Sequence, residues 1–243
     1  MTNELPSPIK VDLAEDSWVT ISHLPKSVAL TPAEFEDLWR QRPTFRDELE
    51  LFGKSTPLPR YQQTYGESYL YPGMKRPAMP MTPVLSRLME HCRLQVATLN
   101  SCLVNWYEGP DQYIGFHSDD ETRIVGKEIF SLSFGETRKF CLRPKSGGPI
   151  VHTFELHDGM MVVMGGRCQS THKHAVPKSV SYRGRRINIT FRSMGVPEAP
   201  KGGVKWVRGD DAITKAKKSE KKMLEHEFCK KKKKIEKNNK KLM

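Results

Sequence analysis

Short runs of alternating apolar and polar residues dominate the second half of the chain. Between Leu94 and Met194 the runs are four to seven residues long, and turn residues such as Gly109-Pro110 and Asp158-Gly159 separate them. A period of two places apolar side chains on one face of a β-strand. Several short strands at this spacing predict an all-β sandwich or jelly roll. The predicted strands are Ser101–Tyr107, Ile129–Phe134, Lys139–Leu142, Thr153–Leu156, Met160–Met164 and Arg186–Arg192.

Two upstream segments have helical spacing instead. Thr31-Pro32-Ala33-Glu34 combines a Thr cap, Pro at the first helical position and Glu three residues after the cap, which is a typical helix start. Apolar residues repeat at helical intervals at Phe35, Leu38 and Trp39, and again at Val84, Leu85, Leu88 and Met89 within Pro83–Cys92. The fold class is therefore mainly β with flanking helices (α+β).

Composition divides the chain into four segments. Residues 1–44 form an N-terminal arm and one helix. Residues 45–92 are rich in proline and aromatic residues, as in a lid of loops and short strands, and end in the second helix. Residues 93–196 carry the β pattern. Residues 197–243 form a lysine-rich tail that we expect to be disordered when free.

The formal charge of +12 on the 243 residues is concentrated in the tail. Residues 201–243 hold 16 Lys/Arg against 6 Asp/Glu, so the rest of the chain is nearly neutral. Such a tail predicts salt-dependent, sequence-independent attraction to nucleic acid. The run Lys230–Lys234 is equally typical of a nuclear address. No stretch reaches 18 consecutive apolar residues, so we expect no membrane span.

Cysteine usage and the first residues indicate an intracellular protein. The five cysteines never occur in CxxC spacing, which fits reduced thiols better than a disulfide or zinc framework. They are Cys92, Cys102, Cys141, Cys168 and Cys229. The N-terminus lacks the basic and apolar regions of a secretory signal. We expect an intracellular location, nuclear if the source is eukaryotic.

A histidine and a carboxylate lie two residues apart at His117 and Asp119. On an extended strand both side chains point to the same face. A second histidine, His172 or His174, would complete a face of two histidines and one carboxylate, which is the ligand set of non-haem Fe(II) oxygenases. Spacing alone leaves both histidines open, and a surface or capping role for His117 and Asp119 is an equally open alternative.

The predicted strand Arg186–Arg192 has two distinct faces. Ile187, Ile189 and Phe191 form an apolar face, and Arg186, Asn188, Thr190 and Arg192 form the opposite one. Two arginines beside an amide and a hydroxyl fit a dianion, because guanidinium groups bind carboxylates in a bidentate fork. The alternative is an edge strand with a solvated basic face. The position, a dozen residues beyond His174, favours an acidic cosubstrate.

Five motifs in this order resemble the AlkB family of Fe(II)/2-oxoglutarate-dependent dioxygenases. They are Asn105-Trp106-Tyr107, His117-Ser118-Asp119-Asp120-Glu121, Ser131-Leu132-Ser133-Phe134-Gly135, His174-Ala175-Val176-Pro177 and Arg186-Ile187-Asn188-Ile189-Thr190-Phe191-Arg192. The likeness covers roughly residues 50–195. Within it, Leu51–Lys54 and Pro59–Gly66 look most like the nuclear DNA-repair branch of the family.

The resemblance implies a double-stranded β-helix (jelly roll) core that opens onto a nucleotide-recognition lid. It implies His174 as the distal ligand, since the family's ligand directly precedes a small–apolar–Pro step, so Fe(II) would bind His117, Asp119 and His174. Six residues would hold the cosubstrate 2-oxoglutarate, with the two arginines on its carboxylates: Asn105, Tyr107, Arg186, Asn188, Thr190 and Arg192.

The activity implied by the resemblance is oxidative demethylation of 1-methyladenine and 3-methylcytosine in DNA. Fe(II), 2-oxoglutarate and O2 would hydroxylate the methyl group, releasing formaldehyde, succinate and CO2. A base inside a duplex has to be flipped out to reach a buried metal, which costs a few kcal/mol. The alternatives are the same chemistry on RNA, and a non-catalytic nucleic-acid-binding protein with a structural metal.

Several further residues are candidates for contact with the substrate. Tyr69 and Tyr71 would stack on the flipped base, or else only pack within the lid. Asp120 and Glu121 would face its positively charged ring, or else support the metal ligands. Leu51-Phe52, with Gly53 beside it, would be an apolar wedge that fills the gap left by the base, or else part of the core. Lys54, Arg60, Arg143 and Lys145 would contact phosphates. We expect a monomer.

Overall fold

The described residues fold mainly into antiparallel β-sheets. This computed structural model describes residues 6–195 apart from residues 15, 52–53, 68–76 and 122. The strands are β1 Ile9–Ala14, β2 Ser17–His23, β3 Glu48–Leu51, β4 Lys54–Pro57, β5 Tyr61–Gly66, β6 Ser101–Tyr107, β7 Ile114–His117, β8 Ile129–Gly135, β9 Arg138–Pro144, β10 His152–Leu156, β11 Met160–Gly166, β12 His172–Val176 and β13 Arg186–Arg192. The helices are α1 Pro32–Arg40, α2 Pro83–Arg93 and α3 Cys168–Thr171.

A large sheet of seven strands organises the molecule. Its order is β1-β2-β11-β8-β13-β6-β5, and neighbouring strands are antiparallel. β13 lies between β8 and β6, so Asn188 is in register with Ser133 on one side and with Asn105 on the other. Residues in register share a face of the sheet. The polar residues of three strands therefore meet on one surface.

A second sheet of four strands, β10-β9-β12-β7, packs against the inner face of the large sheet. Val19, Ile129 and Val162 from the large sheet share an apolar cluster with Phe140 and Leu142 from the small one. Two antiparallel sheets that bury their facing sides form a sandwich of the jelly-roll kind. This confirms the predicted double-stranded β-helix core.

Helices α1 and α2 cover the outer face of the large sheet. α1 begins with the capping box predicted from the sequence, in which the Thr31 side chain accepts from the backbone N–H of Glu34 and the Glu34 carboxylate accepts from the N–H of Thr31. Leu38 and Leu88 share an apolar cluster with Trp106, whose indole N–H donates to the carbonyl of Leu38 at 3.0 Å. The apolar residues of β6, β8 and β13 thus pack outward onto helices, which leaves their polar residues facing the second sheet.

Strand prediction was accurate in the core and incomplete upstream. β6 and β13 have the predicted bounds, and β1, β2 and β5 join the large sheet although they fall in the segments interpreted as an arm and a lid. The four segment boundaries stay a prediction. The cysteines within the described range, Cys92, Cys102, Cys141 and Cys168, are free and buried. No helix of the described residues is long and apolar enough to cross a membrane.

Candidate metal and cosubstrate site

Cross-strand register brings the predicted metal ligands together. His174 of β12 pairs directly with His117 of β7, and their ring centroids are 4.2 Å apart. Asp119 follows the end of β7, and its carboxylate Oδ1 lies 3.6 Å from His117 Nε2. One ligand atom from each of the three residues lies within 4.8 Å of the others, a spacing that suits a single metal ion. His172 is not in this group; its Nδ1 lies 2.8 Å from the Thr171 hydroxyl.

Neighbouring groups hold two of these residues in place, one through its side chain and one through its backbone. His117 Nδ1 lies 2.9 Å from the carbonyl oxygen of Gly115, so Nδ1 carries the proton and donates, and Nε2 is left as the ligand atom. The backbone N–H of Asp119 donates to Gln169 Oε1 at 2.9 Å. Gln169 belongs to α3, so this helix holds a ligand that no strand carries.

Arg192 stabilises the charged form of Asp119. Its Nη2 lies 2.9 Å from Asp119 Oδ2, and both side chains are almost fully buried. Burial alone would raise the pKa of the Asp119 carboxyl, but the charges of Arg192, His174 and His117 outweigh it and hold this pKa well below its usual range. One carboxylate oxygen therefore pairs with the guanidinium while the other faces the histidines.

His174 is held in the neutral form that a metal requires. Burial, together with the neighbouring His117 and Arg192, lowers the pKa of His174 to about 3, against the opposing effect of Asp119. Its imidazole stacks on Phe140 at 5.5 Å between centroids. A neutral nitrogen is thus available at physiological pH without first losing a proton.

A single cavity collects all three ligands and all six predicted cosubstrate residues. Its cavity volume is about 40 Å³. The polar residues of β6 and β13 supply one wall, and for β13 the alternation in Arg186–Arg192 predicted this face. The predicted residues that line it are His117, Asp119, His174, Asn105, Tyr107, Arg186, Asn188, Thr190 and Arg192.

Arg186 is the member of this wall that best fits an anionic ligand. The side chain is 1% exposed, and its Nη2 donates to the Ser133 hydroxyl at 2.9 Å. Nε and Nη1 have no hydrogen-bond partner among the described residues. Burial lowers the pKa of Arg186 to about 10, which leaves the guanidinium charged at neutral pH. A buried cation with two unused donors matches a carboxylate, so the residues present fit 2-oxoglutarate.

Asn188 and Thr190 are already engaged with protein groups. The Asn188 amide donates to the Ser131 hydroxyl at 2.8 Å and to the Leu132 carbonyl at 2.9 Å, and it accepts from the Thr190 hydroxyl at 3.3 Å. These bonds give the cavity wall a fixed shape.

The family model described as the 2OG-Fe(II) oxygenase superfamily matches residues 30–192, which include the whole of this site. The chain belongs to this superfamily. Its members use Fe(II), 2-oxoglutarate and O2, and the donor set described above suits that combination.

Relatives of this 2OG-Fe(II) oxygenase carry AlkB names, which confirms the resemblance. The chain is 32% identical over 196 residues to "Alpha-ketoglutarate-dependent dioxygenase alkB homolog 3" of Rattus norvegicus, covering 76% of this chain and 61% of that protein. It is 31% identical over 175 residues to "DNA oxidative demethylase ALKBH2" of Homo sapiens, covering 66% of this chain and 67% of that protein. The chain spans about three fifths to two thirds of the length of these relatives.

A solved structure supports the fold of this oxygenase independently. The chain resembles the solved structure titled "The structure of OsALKBH1". The two have a TM-score of 0.51 at 17% identity, and the match covers 72% of this chain and 96% of that one.

The predicted substrate residues lie in several different parts of the molecule. Phe52, Gly53, Tyr69, Tyr71 and the tail lie outside the described residues. Lys54 begins β4. Lys145 donates to the Asp120 carboxylate, so these two candidates pair with each other. Arg143 lies over the Phe116 ring at 4.2 Å. Glu121 has one buried carboxylate oxygen without a hydrogen-bond partner in the described part of the chain.

Arg60 departs from its predicted role. It is only 5% exposed and lines the metal cavity, so a contact with a backbone phosphate, as we expected, is not available to it in this structure. Its donors bind amide oxygens of Asn105 and Gln62 instead.

Sequence reasoning assigned no role to four residues that shape the site. Ser131 and Ser133 alternate with apolar residues along β8, a signal that could have placed them on the cavity face. Gln169 and Arg138 gave no such signal, because each acts through contacts between segments distant in sequence.

Proposed function

We propose that this protein is an Fe(II)- and 2-oxoglutarate-dependent oxidative demethylase that repairs N-alkylated bases in DNA. Its substrates would be 1-methyladenine and 3-methylcytosine, and its products formaldehyde, succinate and CO2 beside the repaired base. The observation that carries the proposal is the shared cavity, in which three metal ligands face a buried arginine with unused donors.

The side chains have separate tasks in this proposal. His117, Asp119 and His174 would hold Fe(II), which together with 2-oxoglutarate and O2 supplies the oxidising chemistry. Arg186 would pair with one carboxylate of 2-oxoglutarate, and its burial excludes water that would weaken the pairing. Arg192, predicted to take the other carboxylate of 2-oxoglutarate, would also keep Asp119 ionised through their 2.9 Å contact.

The openness of the site supports catalysis over a purely structural metal. Structural metal sites surround the ion with protein ligands, whereas catalytic sites keep positions open. Among the described residues the ligand group has three members and opens onto a cavity. A non-catalytic role would give the unused donors of Arg186 no purpose.

Carboxylates near the metal ligands support a cationic base as the substrate. Asp120 and Glu121 directly follow Asp119; the Asp120 side chain is 51% exposed, and Glu121 has an unpartnered buried oxygen. The rings of 1-methyladenine and 3-methylcytosine carry a positive charge that such groups attract, and neutral bases lack it. The relative named "DNA oxidative demethylase ALKBH2" supports DNA as the nucleic acid.

Formaldehyde release tests the proposal directly. The full-length protein, supplied with Fe(II), ascorbate and 2-oxoglutarate, is incubated with matched DNA and RNA oligonucleotides carrying one methylated base. We expect formaldehyde from DNA, and none from His174→Ala. His152→Ala, a histidine of the same sheet outside the ligand group, is the matched control and should retain activity. Higher turnover on RNA would replace DNA as the substrate, and no product on either would reject the function.

The tail completes the proposal. Residues 201–243 would add sequence-independent attraction to DNA, and Lys230–Lys234 would direct the protein to the nucleus of a eukaryotic cell. We propose that it acts as a monomer.

A further inference from the structure

Arg60 is a buried cation whose described contacts include no carboxylate. It directly precedes β5, is 5% exposed, and lines the cavity that holds the metal ligands. Its Nε donates to Asn105 Oδ1 at 2.8 Å and its Nη2 to Gln62 Oε1 at 3.1 Å. Both acceptors are neutral amides. Burying a guanidinium against neutral partners is costly, so its position needs a reason other than charge pairing.

These contacts fix the orientation of the Asn105 amide. An amide side chain has one accepting oxygen and one donating nitrogen, and either can point in a given direction. A guanidinium donates and never accepts, so Arg60 requires Asn105 to turn its oxygen toward it. The Asn105 nitrogen must then turn away from Arg60, and no described residue accepts from it. Asn105 itself lines the cavity, so its free donor is available to a ligand there.

We propose that Arg60 is a positioning residue that locks the Asn105 amide with its N–H2 donor toward the cosubstrate. This inference rests on the proposed 2-oxoglutarate site. An anionic cosubstrate has oxygens that only accept, so a flipped Asn105 would present an oxygen to them and repel the ligand. Arg60 removes that wrong orientation before the ligand arrives. The contribution is preorganisation, in which the amide is already oriented in the free protein.

The sheet register supports this positioning role of Arg60. Gln62 and Asn105 are directly paired across β5 and β6, so one guanidinium spans two neighbouring amides. Asn188 is paired with Asn105 across β13 and β6, and its amide is fixed by Ser131, Leu132 and Thr190. Asn105 lacks such partners among the described residues and depends on Arg60. Gln63, the next residue of β5, donates to the carbonyls of Thr64 and Pro77 and does not line the cavity, which makes it a control position.

Calorimetric titration of 2-oxoglutarate into the full-length protein loaded with Mn(II) tests the inference, because binding is measured without turnover. We expect Arg60→Met to raise the dissociation constant about tenfold, as for the loss of one hydrogen bond to a charged group. Arg60→Gln retains a polar side chain and should also weaken binding, because it no longer fixes the amide. Gln63→Leu should bind within about twofold of the wild type. Thermal unfolding verifies that each variant is folded.

A double-mutant cycle separates positioning from direct contact. If Arg60 acts through Asn105, the variant with both Arg60→Met and Asn105→Ala binds no more weakly than Asn105→Ala alone. Additive losses would show that Arg60 acts independently and would overturn the inference, as would wild-type affinity in a folded Arg60 variant. If the wild-type protein itself fails to bind 2-oxoglutarate, the proposed function fails instead.

Discussion

Arg138 provides a sharp test of how this fold supports its site. The side chain is 1% exposed, and its Nη2 donates to the carbonyls of Gln112 at 2.7 Å and Pro177 at 2.6 Å, with a longer bond of 3.4 Å from Nη1 to Gly109. Gln112 lies just before β7 and Pro177 directly after β12. Arg138 therefore ties together the two strands that carry the histidine ligands. We predict that Arg138→Met destabilises the protein substantially.

The magnitude follows from the bonds that are lost. Each short bond from a charged donor contributes about 1.5–3 kcal/mol, and the 3.4 Å bond contributes little. The substitution also relieves the cost of burying a guanidinium whose Nε has no partner among the described residues. Methionine fills most of the volume, so no large cavity opens. We expect a net loss of about 3 kcal/mol, which is a large fraction of an ordinary domain's stability.

Urea denaturation at pH 7 measures this loss as a change in the free energy of unfolding. The neighbouring exposed residue provides the control, because Lys139→Met should change stability by no more than about 0.5 kcal/mol. The Mn(II) affinity of Arg138→Met should also fall, since the two ligand strands lose their shared anchor. Stability equal to or above that of the wild type would show that the buried charge is a net cost, and the reasoning would be refuted.

Other predictions address the ligands, the surface and the tail. His174→Ala should weaken Mn(II) binding at least tenfold in calorimetry, and unchanged affinity would remove the metal assignment. Arg186→Met should weaken 2-oxoglutarate binding about tenfold or more while sparing Mn(II), and an equal loss of both would indicate misfolding rather than a lost contact. The pKa of Glu34 is lowered to about 2, chiefly by its bonds to Arg87, from an ordinary 4.5, so its ionised form stabilises the fold above pH 4.5 and this contribution disappears as the pH falls toward 2. Glu34→Gln should cost about 1 kcal/mol at pH 7 in urea denaturation, and the difference from wild type should vanish at low pH; a constant difference would contradict the ion pair. Deleting residues 201–243 should weaken DNA binding at low salt and flatten its salt dependence while sparing turnover of short substrates, and an unchanged slope would refute the role of the tail.

The sequence predicted those parts of the fold that depend on local periodicity. The alternation in Arg186–Arg192 separated an apolar face from a polar one, and the structure packs the first against helices and the second into the cavity. The Thr31–Glu34 capping box was equally local. Both patterns succeed because the side-chain spacing of a strand or helix is set within a few residues.

Contacts between distant segments could not be read in the same way. Arg60 looked like a surface cation because nothing in its neighbourhood reports that Asn105, 45 residues away, accepts its hydrogen bond. Gln169 and Arg138 were overlooked for the same reason. β1 is a different case, since Ile9, Val11 and Leu13 alternate with polar residues and its strand pattern was visible in the sequence.

The order of strands in the large sheet also determines when each strand meets its pairing partners during synthesis. β13 pairs with both β6 and β8 and lies between them, so it must be synthesised before these two strands belong to one sheet. β2 likewise pairs with β11, which is synthesised about 140 residues later. At roughly 5–20 residues per second, several seconds pass during synthesis while these strands expose unpaired edges. Such edges invite pairing with other chains. β13 closes the sheet and brings Arg186 and Arg192 with it, so a nascent chain that stops before residue 192 lacks both a finished sheet and a finished cavity.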